Sequence, residues 1–223
     1  MRKLFFPAIT LLLLLAQCND SSNNSSASSG NTRADKIAET AGLDNFGKIK
    51  ELEFTFNIQK DTTPMSRHWK WMPKTNDVVF SSEGDSVSFK RYDTSTAKLK
   101  ELNGKFTNDE YWLIFPYHLI WDKGMTITDN GEAVGPVTGD SLHKSTIQYN
   151  KSDGFTPGDM YVIYTDEKNK INEWEYHKGG SAEPSLMTTW EDYEKFNGLQ
   201  LSTNHQTKDG TFRLYFTDIK VTQ

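Results

Sequence analysis

Residues 106–125, FTNDEYWLIFPYHLIWDKGM, set Tyr111, Trp112, Phe115, Tyr117 and Trp121 around two aliphatic pairs, Leu113-Ile114 and Leu119-Ile120. The mean hydropathy of the whole chain is only -0.67. So dense an apolar segment must therefore be covered by the rest of the molecule, because aromatic side chains gain most from leaving water. Asn108 or Asp109 can cap a helix that begins at Glu110, and Pro116 is expected to end or kink it near Phe115. The cover available is a set of amphipathic strands. The segment is expected to lie as a lid or plug in the concavity of a curved antiparallel sheet.

The strands announce themselves by a period of two. Leu52, Phe54, Phe56 and Ile58 fall on one side, and Glu51, Glu53, Thr55, Asn57 and Gln59 on the other. Strict alternation means a strand wet on one face. Trp69 and Trp71 alternate with His68 and Lys70 in the same way, and Val87, Phe89 and Arg91 oppose Ser88, Lys90 and Tyr92. Further strands are read at 78–81, 125–128, 145–150, 160–165, 171–177, 186–191, 199–205 and 212–221. Glu83-Gly84-Asp85, Asp129-Asn130-Gly131 and Lys208-Asp209-Gly210 read as turns between them. Short helices are expected at the start of 33–48 and over 94–103. No strand–helix–strand series and no internal repeat appears. The expected fold class is α+β, mostly antiparallel β: an open half-barrel with a few short helices covering the concave face.

The first residues read as an address. Arg2 and Lys3 precede an apolar run, 4–16, that is shorter than the roughly 20 residues a bilayer span needs. The run ends in Leu15-Ala16-Gln17-Cys18, which resembles a bacterial lipobox with Gln17 where a small residue is usual. That resemblance implies a signal peptide over 1–17, diacylglycerol on the Cys18 sulfur and an acyl chain on its amine. Anchoring by more than one chain is durable. Residues 18–32 are Ser- and Asn-rich without periodicity, and read as a flexible tether. The folded domain is expected over 33–223. The expected location is the outer membrane, on its periplasmic face, with the cell surface as the alternative.

Charge and cysteine content exclude several function classes. The formal net charge is -5, and the first seventeen residues carry two cations and no acid, which leaves the remainder at -7. Such a chain is not a nucleic-acid partner, since phosphate binding needs clustered Lys and Arg. Cys18 is the one cysteine, so no intrachain disulfide and no thiolate metal site is open to it. His68, His118, His143, His177 and His205 are dispersed, and there is no GxSxG or phosphate-binding glycine loop. The best enzyme candidate is Glu173, Glu175 and His177, which share one face of a strand and could do acid–base or metal chemistry. The plainer reading is a wet face opposite Trp174 and Tyr176. No catalytic residues, cofactor or metal are expected.

One constellation remains: Trp69, Trp71, Tyr111, Trp112, Phe115, Tyr117, Trp121 and Trp174. They are either plain core or the wall of a cavity for a lipid, an acyl chain or another apolar ligand. Arg67 and Arg91 are candidates to meet a head group. The order of features is a lipoprotein signal, a helix, FGKIKELEFTF at 46–56, strands, NDEYWLIFP at 108–116, then 166–176 and WEDY at 190–193. It resembles a group of bacterial envelope lipoproteins related to the periplasmic lipoprotein-carrier (LolA/LolB-like) fold. The resemblance covers nearly all of the chain after residue 33. It implies an unclosed antiparallel barrel, helices over its mouth, an apolar cavity between, and binding or carriage of a hydrophobic ligand without catalysis. The alternative is a structural or sensory lipoprotein that docks a protein partner.

Overall fold

The computed structural model describes residues 32–60, 63–82, 84–152 and 156–223. The expected signal peptide, Cys18 and residues 18–31 of the tether lie outside the described residues. In chain order the elements are α1 (Arg33–Ala41), α2 (Leu43–Phe46), β1 (Glu51–Lys60), β2 (Thr63–Met72), β3 (Asp77–Ser82), β4 (Asp85–Lys90) and α3 (Ala97–Trp121). Then follow β5 (Met125–Val134), β6 (Ser141–Tyr149), β7 (Met160–Thr165), β8 (Ile171–His177), β9 (Leu186–Thr189), β10 (Glu191–Phe196), β11 (Leu199–Gln206) and β12 (Phe212–Thr222).

The strands form two antiparallel sheets. One has the order β10-β11-β12-β1-β2-β3-β4 and the other β5-β6-β7-β8-β9. Neither closes, which gives the expected open, mostly antiparallel architecture with few helices. The inner faces meet α3. Leu52, Phe54 and Phe56 of β1, Trp69 of β2 and Trp174 of β8 are essentially fully buried. Phe106 of α3 packs on Trp69 and Trp71 at 5.4 and 5.8 Å, and Phe115 packs on Tyr161 and Trp174 at 5.5 and 5.4 Å. One helix thus bridges both sheets. Its far side is closed by α1 and α2, where Phe46 sits 5.0 Å from Tyr117 and Tyr117 donates to the carbonyl of Ala41 at 2.6 Å.

Four boundaries differ from the sequence reading. Residues 97–121 are one helix, capped by Thr96, whose hydroxyl accepts from the Leu99 N–H. Neither Asn108 nor Asp109 caps a new one. The Asp109 carboxylate instead faces β2, taking hydrogen bonds from Arg67 and Trp69. Pro116 kinks the helix without ending it: Ile114 has φ -123° and ψ 19°, and Pro116 has no N–H for the carbonyl of Trp112. Next, β5 runs through the expected turn at 129–131. Asn130 is bulged out between Asp129, which pairs with Ser145, and Gly131, which pairs with Lys144. The chain reverses later, at 135–140.

β4 stops at Lys90 because Tyr92 takes φ 72° and the Asp93 N–H turns back to the Lys90 carbonyl. Finally, the strand expected over 186–191 divides at Trp190. The N–H of Trp190 donates to the Asn172 carbonyl of the five-stranded sheet, and from Glu191 the chain pairs in the other sheet. The two sheets are therefore continuous in chain. They are stitched at Thr189, whose hydroxyl accepts from the Gln206 N–H at 3.2 Å.

Candidate ligand-binding cavity

A cavity of about 400 Å³ lies at one end of the concavity. The first half of α3 forms one wall, with Gly104, Thr107, Asn108, Tyr111 and Trp112. Phe56 and Ile58 enter from β1, and Phe212 and Leu214 from β12. Opposite stand Tyr161, Trp174 and Tyr176 of β7 and β8, with Leu186 of β9 and, at the rim, Thr156 and Asp159. Alternation builds this wall. Tyr161 pairs with Tyr176, and Ile163 with Trp174, so aromatic residues two apart on facing strands share the inner face. Leu186 also borders a second depression of about 440 Å³ between β9 and the β11–β12 hairpin. The two sheets are joined at Thr189 and spread apart at Leu186.

The eight expected aromatic residues fall in four places. Tyr111, Trp112 and Trp174 line the cavity, with Trp112 and Trp174 4.3 Å apart. Phe115 and Tyr117 are fully buried on the other faces of α3. Trp69 and Trp71 sit under Phe106 on β2, and Trp121, 38% exposed, stacks on Tyr117 near Phe46. The remaining cavity residues, among them Tyr161, Tyr176, Phe212 and Leu214, carried a signal in their alternation. What the sequence lacked was the strand order that gathers them.

Arg67 and Arg91 do not line the cavity. Each pairs with a carboxylate of α3. Arg67 holds Asp109 through two nitrogens at 2.5 and 2.6 Å and lies over Phe56. Burial pushes the Asp109 carboxyl up, and the Arg67, Asn108 and Trp69 donors pull it back. Arg91 pairs with Glu110. From Glu110 a buried chain of polar groups runs through His118 at 3.1 Å to Asp122 at 2.9 Å, then to the hydroxyls of Tyr149 and Tyr111. Burial alone disfavours a charged His118. The Glu110 charge and the hydrogen bonds to Asp122 and Glu110 outweigh it and hold the imidazole pKa at about 9. These ionic groups pin the middle of α3 and its C-terminal cap to β2, to the segment just after β4 and to β6.

Glu173, Glu175 and His177 do share a face of β8, as expected, but that face is not simply wet. Glu173 is fully buried and accepts from the N–H groups of Val137 and Thr138 at 2.7 and 2.9 Å. Glu175 accepts from Tyr164 at 2.6 Å, and its other oxygen lies 2.8 Å from His177 Nε2. Glu173 is spent on tying down the 135–140 turn, so the three do not converge on a shared vacancy. Gly135 leaves just enough room, since a Cβ there would stand 2.5 Å from a Glu173 oxygen. Among the described residues no group of three or more His, Cys, Asp or Glu is placed to hold a metal ion. Among the same residues no helix is long and apolar enough to cross a membrane.

No family model matches the chain, and no curated protein matches it. Solved structures similar to it include the following three. A DUF1329 family protein from Desulfovibrio piger has 11% identity and a TM-score of 0.46, over 85% of this chain and 91% of that one. A domain described as an outer membrane lipoprotein-sorting protein, from Vibrio parahaemolyticus, has 9% identity and a TM-score of 0.41, over 85% and 94%. The Mycobacterium tuberculosis lipoprotein LppX has 8% identity and a TM-score of 0.26, over 82% and 94%.

Proposed function

We propose that this protein binds or carries a hydrophobic ligand, a lipid or a single acyl chain, in the cavity beside the first half of α3. The observation that carries the reading is the cavity itself: about 400 Å³, walled by Tyr111, Trp112, Tyr161 and Trp174 with Phe56, Ile58, Phe212 and Leu214. Ligand sites of this size are concave and largely apolar, with few polar groups. Binding there needs no covalent chemistry. The ligand enters by displacing water and is held by apolar contact.

The surrounding arrangement fits such a role. Residues 1–17 serve as the signal peptide, acylated Cys18 holds the protein to the outer membrane on its periplasmic face, and the tether places the 33–223 domain a short way off the bilayer. A membrane-attached cavity can then exchange ligand with the bilayer at high local concentration.

Native mass spectrometry of the full chain, extracted from membranes in a mild detergent and then subjected to organic extraction, tests the reading. A discrete added mass that extracts as lipid is expected, and Trp112→Ala is expected to lower its occupancy at least fivefold. A clean unliganded mass, with no uptake of apolar fluorescent probes, would overturn it. That result would favour the second reading, a lipoprotein that docks a protein partner. The close packing of Phe115, Tyr117, Trp69 and Trp71 within the concavity is the observation behind that alternative.

A further inference from the structure

The cavity walls are apolar, but its rim has a definite electrostatic sign. Among the described lining residues there is no Lys, Arg or His, and Asp159 is the one carboxylate. Asp159 is held in place by two donors. One oxygen accepts from the Gly179 N–H at 2.7 Å and the other from the Tyr176 hydroxyl at 3.1 Å. Burial and the nearby Asp159 charge push the Tyr176 hydroxyl up to about 12, so it stays protonated as a donor. The two arginines that might have served an anion are paired with Asp109 and Glu110.

We infer that the cavity selects apolar ligands whose polar end is uncharged and hydrogen-bonding, and discriminates against the carboxylate or phosphate end of an anionic lipid. The inference rests on the ligand-binding reading above and names its ligand class. An anionic head at the rim would meet Asp159 at close range, with no basic residue among the described lining residues to offset either charge, and like charges close together repel strongly. An alcohol, amide or glycerol head can donate to Asp159, whose carboxylate has lone pairs beyond the two bonds it makes.

The test uses the full acylated chain in phosphatidylcholine nanodiscs, with the uncharged probe 1-N-phenylnaphthylamine excited through the cavity tryptophans. Displacement by 1-dodecanol is compared with displacement by dodecanoate at pH 8, so that the tail is constant and the head varies. Dodecanol is expected to act at a concentration at least tenfold lower. Part of that gap is the lower intrinsic hydrophobicity of the ion, so the deciding quantity is how the ratio changes on mutation. Asp159→Asn is expected to narrow it at least threefold. Thr107→Lys, at a half-exposed position of α3 on the same cavity, is expected to narrow it without disturbing the Asp159 loop. A ratio near one in the natural chain, or a ratio that neither variant moves, overturns the inference and leaves ligand binding standing. Absence of any probe signal overturns ligand binding itself, and the inference with it.

Discussion

Glu110, His118 and Asp122 show what single residues contribute. Glu110 and His118 lie eight apart on α3 and Asp122 caps its end four residues on; their side chains are almost wholly buried, with Arg91 on the far side of Glu110 and the rings of Tyr111 and Trp121 against the imidazole. With His118 protonated, two positive and two negative groups balance. The folded pKa of about 9 lies above the unfolded value near 6.5, so this stabilisation is complete below pH 6.5 and is lost as pH rises through 9. The shift corresponds to about 3 kcal/mol. His205 has the opposite sign. Burial among Trp112, Trp190 and Phe216 lowers its pKa to about 3, so the unfolded chain takes up a proton that the folded one refuses, and stability falls as pH drops from 6.5 towards 3. Urea unfolding midpoints measured across pH 6 to 10 should decline in the natural chain. His118→Gln should flatten that decline while lowering the midpoint at pH 6. An unchanged alkaline slope in the variant would remove His118 as its source.

At the scale of elements, two joints decide how the helices meet the sheets. Gly42 joins α1 to α2 at φ +94°, and a Cβ there would lie 2.1 Å from the carbonyl oxygen of Gly198 in the β10–β11 turn. Gly42→Ala combines left-handed strain with a backbone clash and is expected to cost about 2–4 kcal/mol. Gly47→Ala, five residues on, meets nothing within 4 Å at an ordinary φ of -61° and should be close to neutral. Equal melting temperatures for the two variants would contradict this account of the corner. The second joint is the kink of α3. Pro116 was visible in the sequence as a breaker, yet the helix continues because every side of residues 110–119 is packed. Tertiary burial outweighs the hydrogen bond that proline removes.

The whole molecule is organised by the seam between its sheets. At Thr189 the hydroxyl bonds the backbone of Gln206 across the seam, while at Leu186 the sheets diverge and the cavity approaches the outside. Thr189→Val keeps the shape and removes these bonds. A loss of about 1 kcal/mol is expected, with amide exchange at Gln206 accelerated well beyond that of β1. Unchanged exchange at Gln206 would mean that apolar packing alone joins the sheets.

The sequence by itself determined which faces of strands such as β1 turn inward, though not where every strand ends. Alternation in 51–59 separates Leu52, Phe54 and Phe56 from their polar neighbours whatever they later touch, because a side-chain period of two is a property of the extended backbone. It also determined that 106–125 must be buried, since no exposed arrangement of those aromatics is stable in water. Tertiary structure alone decided which of those aromatics face packed neighbours and which face a space. Phe115 and Trp112 differ by three positions on one helix, and their surroundings are set by strands more than forty residues away. The same holds for charge. Asp109 reads as a helix cap and Arg67 as a candidate to meet a head group until the register of β2 against α3 makes them each other's partner. Local chemistry is written in the chain, but the pairing of distant groups depends on strand order and sheet curvature, which no short window of sequence contains.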